Sequence, residues 1–215
     1  MRPVLRSEIV DFETYERMRP AFREAVFAVK TPRRIHLGDP FTFLFENPTT
    51  IRYQVLETMR AERLVREEDI RHELETYNGL LGGEGELACT LLVEIDDPAL
   101  RAVRLREWFD LPEHVYARLE DGTKVRPSFD ESQRGDGRLS SVQYLKFPVG
   151  GAAPIALGID LPGLELETTL APSQRAALVE DLSAGATTAV DTAEVKRPGP
   201  EARPCAEHVG DPGAA

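Results

Sequence analysis

The hydrophobic period of this chain changes near residue 80, and the change limits the folds it can adopt. Before that point, Tyr15, Phe22 and Val26 recur at roughly helical spacing. After it, "ELACTLLVEI" alternates apolar and other residues, which is the period of a half-buried strand. Further strand-like segments are "HVYARLE", "LSSVQYLKFPV", "PIALGI" and "LELETTL". We therefore predict an α+β fold, in which N-terminal helices and a short hairpin pack on a mainly antiparallel sheet.

Capping residues give the expected starts of the helices. Asp11 is the expected N-cap of the first helix, and Pro20 should kink that helix or begin a second segment, because proline lacks a backbone donor. Thr49 or Thr50 should cap a helix that runs to about Val65. Further helices are expected from about Glu67, after Asp97 and after Ser173.

The stretch "RRIHLGDPFTFLFENP" predicts two short strands joined by the "GDP" turn. Phe41, Phe43 and Phe45 lie on one face of the second strand. That face is either part of the core or, if the chain is a structural subunit of a homo-oligomer, an interface between copies. The sequence leaves the oligomeric state open.

Length and charge limit the organisation and the partners of the chain. Residues 1–184 suit a single α+β domain, and residues 185–215 form a Pro/Gly/Ala-rich tail that we expect to be disordered. The net charge is −11, and residues 186–215 hold five acids and three bases, so a charge of −9 remains on the rest. A body that acidic repels a phosphate backbone, so we expect no nucleic-acid partner.

No run of 18 apolar residues occurs, so the sequence predicts no membrane span. The start "MRPVLRSEIVDFETY" lacks the apolar region of a secretory signal, which predicts a cytoplasmic protein. Cys89 lies in a strand-like segment, where we expect a buried thiol, and Cys205 lies in the tail. The cluster of Lys30, Arg33 and Arg34 in "KTPRR" is interpreted as a solvated basic turn, with an anion-binding corner as the alternative.

One candidate site is a metal centre formed by Glu46, Glu57, Glu68 and His72. Glu68 and His72 stand four residues apart on one helix face, and the other two carboxylates precede them on a strand end and a helix. Carboxylates with one imidazole would suit iron, manganese or zinc. The alternative is a solvated helix face with salt bridges, and the repeated Glu-x-x-His of di-iron bundles is missing from the sequence.

A second candidate site is a ligand pocket lined by polar groups held inside the fold. Glu57 and Arg60 could form a partly buried ion pair, with Gln54 beside them. Gln143 shares a strand face with Leu145 and Phe147, so it is a buried amide if that face is inward. The candidate pocket residues are Glu46, Gln54, Glu57, Arg60 and Gln143. The alternative is a purely structural network that fixes helix against sheet.

Several blocks of the sequence resemble, in order and spacing, a bacterial family known as domain of unknown function 3501. They are "RRIHLG", "FTFLFENPTTIRYQVLETMRAERL", "HELETYNGLL", "ACTLLVEIDD", "SSVQYLKFPV", "IALGIDLPG" and "ALVEDL". The resemblance runs from about Tyr15 to Leu182 and implies no established activity. It does imply a context, because such proteins are often encoded near rubrerythrin-like and cysteine-rich iron–sulfur proteins, which suggests redox or peroxide metabolism and a protein partner of that kind.

The chain departs from the family pattern at two positions. A histidine usually stands at the place of Gln143 and another at the place of Leu161, with an aromatic residue near Leu164. If those histidines bind a metal or carry protons in relatives, this chain has lost or rebuilt that function. The sequence also lacks a P-loop, a GxSxG motif and a readable nucleophile–base arrangement.

Two hypotheses about function follow. The first is a ligand- or partner-binding accessory protein of redox or peroxide metabolism. The second is a metal-dependent, oxidoreductase-type enzyme that uses the Glu/His site, with Arg60 holding an anionic substrate. They differ in whether the candidate metal ligands converge.

Overall fold

The computed structural model describes residues 1–183, and it has the predicted α+β fold. The helices are α1 (Phe12–Lys30), α2 (Pro48–Glu62), α3 (Glu67–Asn78), α4 (Pro98–Glu107), α5 (Leu111–His114) and α6 (Pro172–Ser183). No helix within residues 1–183 is long and apolar enough to cross a membrane. The expectation of a disordered tail at 185–215, which includes Cys205, lies outside the described residues.

The eleven strands found within residues 1–183 lie in two larger antiparallel sheets and one small hairpin. The five-stranded sheet has the order β1-β2-β3-β9-β6, with β1 at Arg34–Leu37, β2 at Phe41–Phe45, β3 at Glu86–Val93, β6 at Ser128–Phe129 and β9 at Val142–Pro148. The four-stranded sheet has the order β11-β10-β4-β5, with β4 at Val115–Arg118, β5 at Lys124–Val125, β10 at Ala156–Leu161 and β11 at Leu164–Thr169. The hairpin pairs β7 (Arg134–Gly135) with β8 (Arg138–Leu139).

The larger core fills the space between the two sheets. Successive side chains of a strand point to opposite faces, so Phe41, Phe43 and Phe45 of β2 all point into this core, with 0%, 0% and 2% of their surface exposed. Leu87, Leu91, Leu145, Phe147, Leu157 and Ile159 are further members. The aromatic face of the first hairpin is therefore core and not an interface between copies. Cys89 is buried in the same core, as expected.

A smaller core joins the three N-terminal helices. It contains Tyr15, Phe22, Val26, Ile51, Val55, Met59, Ile70 and Leu74. Asp11 caps α1 as predicted, because its carboxylate accepts from the backbone N–H of Thr14 at 2.9 Å. The helix continues through Pro20 as a single element.

The start and end of α2 differ from the prediction. Asn47, not Thr49 or Thr50, is the N-cap: its side chain accepts from the backbone N–H of Thr50 at 3.0 Å, while the Thr50 hydroxyl accepts from the backbone N–H of Asn47 at 2.9 Å. The helix ends at Glu62, because Arg63 adopts a left-handed φ of 54° that cannot continue it. The last helix begins at Pro172, so Ser173 lies inside it rather than capping it.

The interpretation of Arg33 as part of a solvated basic turn is wrong. Arg33 is 4% exposed, and its guanidinium donates to both carboxylate oxygens of Asp181 on α6 at 2.8 Å. Asn47 donates to the same carboxylate at 3.1 Å, and Glu180 lies 3.1 Å from Arg33. Burial would lower the pKa of Arg33, but the hydrogen bonds from its side chain to Asp181 and Glu180 reverse this and raise it. The sequence did not reveal the pair because 148 residues separate its members.

We expect Arg33→Met to lower the free energy of unfolding by about 3–5 kcal/mol, because it leaves Asp181 buried without a charged partner. Urea unfolding at pH 7 measures this. Arg66→Met is the matched control, since Arg66 is bound to Asp69 at 2.8 Å on the surface, where such pairs contribute about 0–1 kcal/mol. Equal losses in the two variants would contradict the role given to the buried pair.

Candidate functional site

The five-stranded sheet separates the residues of the predicted pocket into two groups. Gln143 points into the larger core and is 0% exposed; its side-chain amide donates to the carbonyl of Ser140 at 2.9 Å. Its Oε1 has no hydrogen-bond donor among residues 1–183. Glu46 follows β2 one position after an inward-facing phenylalanine, so it lies on the opposite side, which we call the outer face. The structure therefore does not bring Gln143 together with Glu46.

Glu46 is a buried carboxyl, 4% exposed, beside the start of α2. It accepts hydrogen bonds from the hydroxyls of Thr50, at 2.5 Å, and Thr90, at 3.2 Å. Its backbone N–H donates to the carbonyl of Ala88 at 2.9 Å, which extends the pairing of β2 with β3 by one residue. Within the described part of the chain, the carboxyl of Glu46 thus accepts hydrogen bonds from neutral hydroxyl groups and from no charged group.

Glu57 and Arg60 both project from α2 toward α1, but they do not pair with each other as predicted. Glu57 accepts two hydrogen bonds from Arg19, at 2.7 and 2.8 Å, and a third from the hydroxyl of Tyr15. Arg60 lies 2.5 Å from a carboxylate oxygen of Glu16. Glu57 and Arg60 therefore both find their partners on α1, which presents Tyr15, Glu16 and Arg19 to them.

These contacts shift the protonation of the groups involved. The hydrogen bond from Arg19 is the main reason that the pKa of Glu57 is lowered, with a further lowering from Tyr15. Burial, followed by the hydrogen bond to Glu57, raises the pKa of Tyr15 above its ordinary value. Gln54 is half-buried on α2, and its side chain has no hydrogen bond to residues 1–183. The structure thus assigns Glu57 and Arg60 to helix packing and does not gather the five pocket residues into one cavity.

The four predicted metal ligands are in three different surroundings. Glu46 is buried by its two threonines, Glu57 is bound to Arg19, and Glu68 and His72 are exposed on α3, where Glu68 lies 3.2 Å from Arg66. Among residues 1–183, no group of three or more His, Cys, Asp or Glu side chains is placed to hold a metal ion. The structure therefore does not assemble the ligand set predicted for iron, manganese or zinc.

A cavity of about 290 Å³ opens on the outer face, where the end of α3 passes over β3, β9 and β6. We call it the outer-face pocket, and its side chains include Leu80, Thr90, Ser128, Asp130, Tyr144 and Lys146. Thr90 connects it to Glu46 through the hydrogen bond described above. Tyr144 and Lys146 alternate with the inward-facing Leu145, so the strand pattern alone could have placed them on this face. The pocket residues of β6, by contrast, could not have been placed in this way, because a strand of two residues shows no alternation.

Lys146 and Tyr144 are half-buried in this pocket and are free of protein partners. The ammonium group of Lys146 makes no ion pair, and the hydroxyl of Tyr144 makes no hydrogen bond, with any residue of the described chain. Burial raises the pKa of Tyr144, and the nearby Tyr77 and Glu46 raise it further. The Tyr144 hydroxyl therefore remains protonated at neutral pH and can donate a hydrogen bond. The pocket thus offers two donors to a bound molecule.

Gln143 and Leu161, where the resemblance described above implies histidine in relatives, both lie at the larger core. Gln143 is inside the larger core, and Leu161 and Leu164 pack against the same core from β10 and β11. Histidines at 143 and 161 would therefore belong to the inter-sheet core, separate from the outer-face pocket.

The contact between Glu57 and α1 predicts a pH-dependent stability. A lowered folded-state pKa stabilises the fold above the unfolded-state pKa of about 4.3, and this contribution is lost as the pH falls through the folded-state pKa. We expect Glu57→Gln to lower the free energy of unfolding at pH 7 by roughly 1.5–3 kcal/mol, with a difference that shrinks below about pH 4. Urea unfolding at pH 7 and pH 3 tests this. The exposed Glu62 of the same helix gives the control variant Glu62→Gln, and a difference that does not change with pH would refute the prediction.

Comparison with known proteins gives a family but no activity. A family model described as a protein of unknown function (DUF3501) matches residues 3–182. The chain is also similar to the crystal structure of a protein of unknown function from Burkholderia pseudomallei K96243, with 28% sequence identity and a TM-score of 0.77; the match covers 84% of this chain and 100% of that one. No curated protein matches the chain. Since the family model spans most of its length, the chain belongs to the DUF3501 family of proteins of unknown function.

Proposed function

We propose that this chain is a ligand-binding accessory protein and that its ligand binds in the outer-face pocket. The observation that supports this is the pair of half-buried donors, Lys146 and Tyr144, that have no protein partner within residues 1–183. Partly buried polar groups are ordinarily satisfied by the protein, by water or by a ligand. At about 290 Å³, the cavity is just below the range of small-molecule sites, which starts near 300 Å³, so it suits a small ligand.

The lining of the pocket favours a small organic acid with an apolar body. The ammonium of Lys146 supplies a charge for a carboxylate, and the hydroxyl of Tyr144 supplies a hydrogen bond to it. Leu80 and the ring of Tyr144 supply apolar surface for the rest of the molecule. Asp130, whose carboxylate already accepts from the backbone N–H of Ser132 at 2.9 Å, lies at the edge and disfavours ligands with a second negative charge.

We expect benzoate to bind saturably in the pocket and benzyl alcohol, its neutral analogue, to bind at least tenfold more weakly. Titration followed by amide NMR shifts should locate the binding at Thr90, Tyr144 and Lys146. Lys146→Met keeps the apolar stem and removes the charge, so it should weaken benzoate binding about tenfold or more. Lys124→Met is the matched control, because Lys124 lies on the other sheet and is bound to Asp160 at 3.1 Å.

Each failure has a separate meaning. If neither probe binds the wild-type chain, the proposed ligand class is wrong. If benzoate binds and Lys146→Met has no more effect than Lys124→Met, the proposed site is wrong.

We further propose that this binding serves redox or peroxide metabolism in the cytoplasm, with a rubrerythrin-like or iron–sulfur protein as partner. The support is the context implied by the family resemblance. Deleting the gene should increase the sensitivity of the host to hydrogen peroxide, and the wild-type chain should restore resistance while Lys146→Met should not. Unchanged sensitivity in the deletion strain would argue against this setting without affecting the binding proposal.

A further inference from the structure

A second cavity, of about 490 Å³, lies between α4 and the β7–β8 hairpin. We call it the hairpin crevice; its polar side chains include Arg101, Ser132, Gln133, Arg138, Ser140 and Ser141. It shares no lining residue with the outer-face pocket. Its ligand chemistry can therefore be considered independently of the proposed function.

The two arginines of the crevice are free of acidic partners within residues 1–183. Arg101 donates through one nitrogen to the carbonyl of Ile95 at 3.0 Å, and its other donors are unused there. Arg138 is exposed and makes neither an ion pair nor a side-chain hydrogen bond with the described residues. By contrast, Arg104, on the same helix as Arg101, lies 2.7 Å from Glu107. Asp136 is the acidic residue of the lining, so the crevice keeps an excess of one positive charge in an acidic protein.

Serine hydroxyls complete a set of donors around these arginines. The Oγ of Ser140 accepts from the backbone N–H of Val142 at 3.2 Å, which leaves its own proton free to be donated. The hydroxyl of Ser141 makes no hydrogen bond with the described residues, whereas the hydroxyl of Ser132 interacts with the carboxylate of Asp130 and lowers its pKa. Guanidinium groups match the geometry of phosphate oxygens through paired N–H donors, and hydroxyls add single bonds to the same oxygens.

The crevice also presents acceptors. Gln133 Oε1 has no hydrogen-bond donor among residues 1–183, and Asp136 adds a carboxylate. A ligand hydroxyl would satisfy either group. The volume is much larger than a phosphate ion needs and lies within the range of about 300–1,000 Å³ of small-molecule sites.

We propose that the hairpin crevice binds a small hydroxylated organic phosphate. Arg101 and Arg138 hold its phosphate group together with the serine hydroxyls, and Gln133 and Asp136 face its hydroxylated body. The lining is mostly polar, which separates this ligand from the acid with an apolar body proposed for the outer-face pocket.

Isothermal titration with glucose 6-phosphate, inorganic phosphate and glucose tests the proposal on the full chain. We expect glucose 6-phosphate to bind most tightly, inorganic phosphate more weakly, and glucose without saturation. Arg138→Gln should weaken the binding of glucose 6-phosphate about tenfold or more. Because Arg138 is exposed and makes no side-chain hydrogen bond within the described chain, this variant should keep the urea unfolding midpoint of the wild type.

Arg106→Gln is the matched control, because it removes the same charge from an exposed position of α4 outside the crevice. Equal weakening by Arg106→Gln and Arg138→Gln would mean a general charge effect and would overturn the site. Binding of glucose as tight as that of its phosphate, or no saturable binding of glucose 6-phosphate by the wild type, would overturn the ligand class. None of these outcomes depends on whether benzoate binds at the outer-face pocket.

Discussion

The buried contact between Arg33 and Asp181 joins the start of the five-stranded sheet to the last helix, α6. Arg33 leads into β1, Asp181 lies near the end of α6, and Asn47 joins them while it also caps α2. A charge buried without its partner is strongly unfavourable, so the segments that carry Arg33 and Asp181 stabilise each other when they pack together. The helical layer, the five-stranded sheet and the last helix therefore share one polar junction.

Much of the fold follows from local patterns. Alternation in "FTFLF" and "SSVQYLKFPV" predicted which side chains share a face, because a period of two assigns every second residue to the same face, but it did not decide which face is buried. Asp11 and Asp97 were predictable caps for the same kind of local reason. The N-cap of α2 shows where local patterns fail: Thr49 or Thr50 was expected, but Asn47 is the cap. All three residue types are common N-caps, so the sequence alone does not decide between them.

The sites were harder to predict, because they depend on contacts between distant segments. The partners of Glu57 and Arg60 lie on α1, and the partner of Arg33 lies near the end of α6. The sequence indicated that Glu57 and Arg60 were polar and partly buried, but not which helix would face them, and it gave no sign that Arg33 was buried. The outer-face pocket likewise requires β6 to pair with β9, and a strand of two residues has too few positions to show a period.

The carboxylate of Glu57 receives hydrogen bonds from Tyr15 and Arg19, which stand one turn apart on α1. A single contact would fix only the distance between the two helices. Two contacts from successive turns also fix the angle of α1 about its own long axis, because a rotation by one residue, about 100°, would carry both donors away from Glu57. The two hydrogen bonds therefore hold α1 in one rotational setting against α2, in addition to what they contribute to the free energy of unfolding.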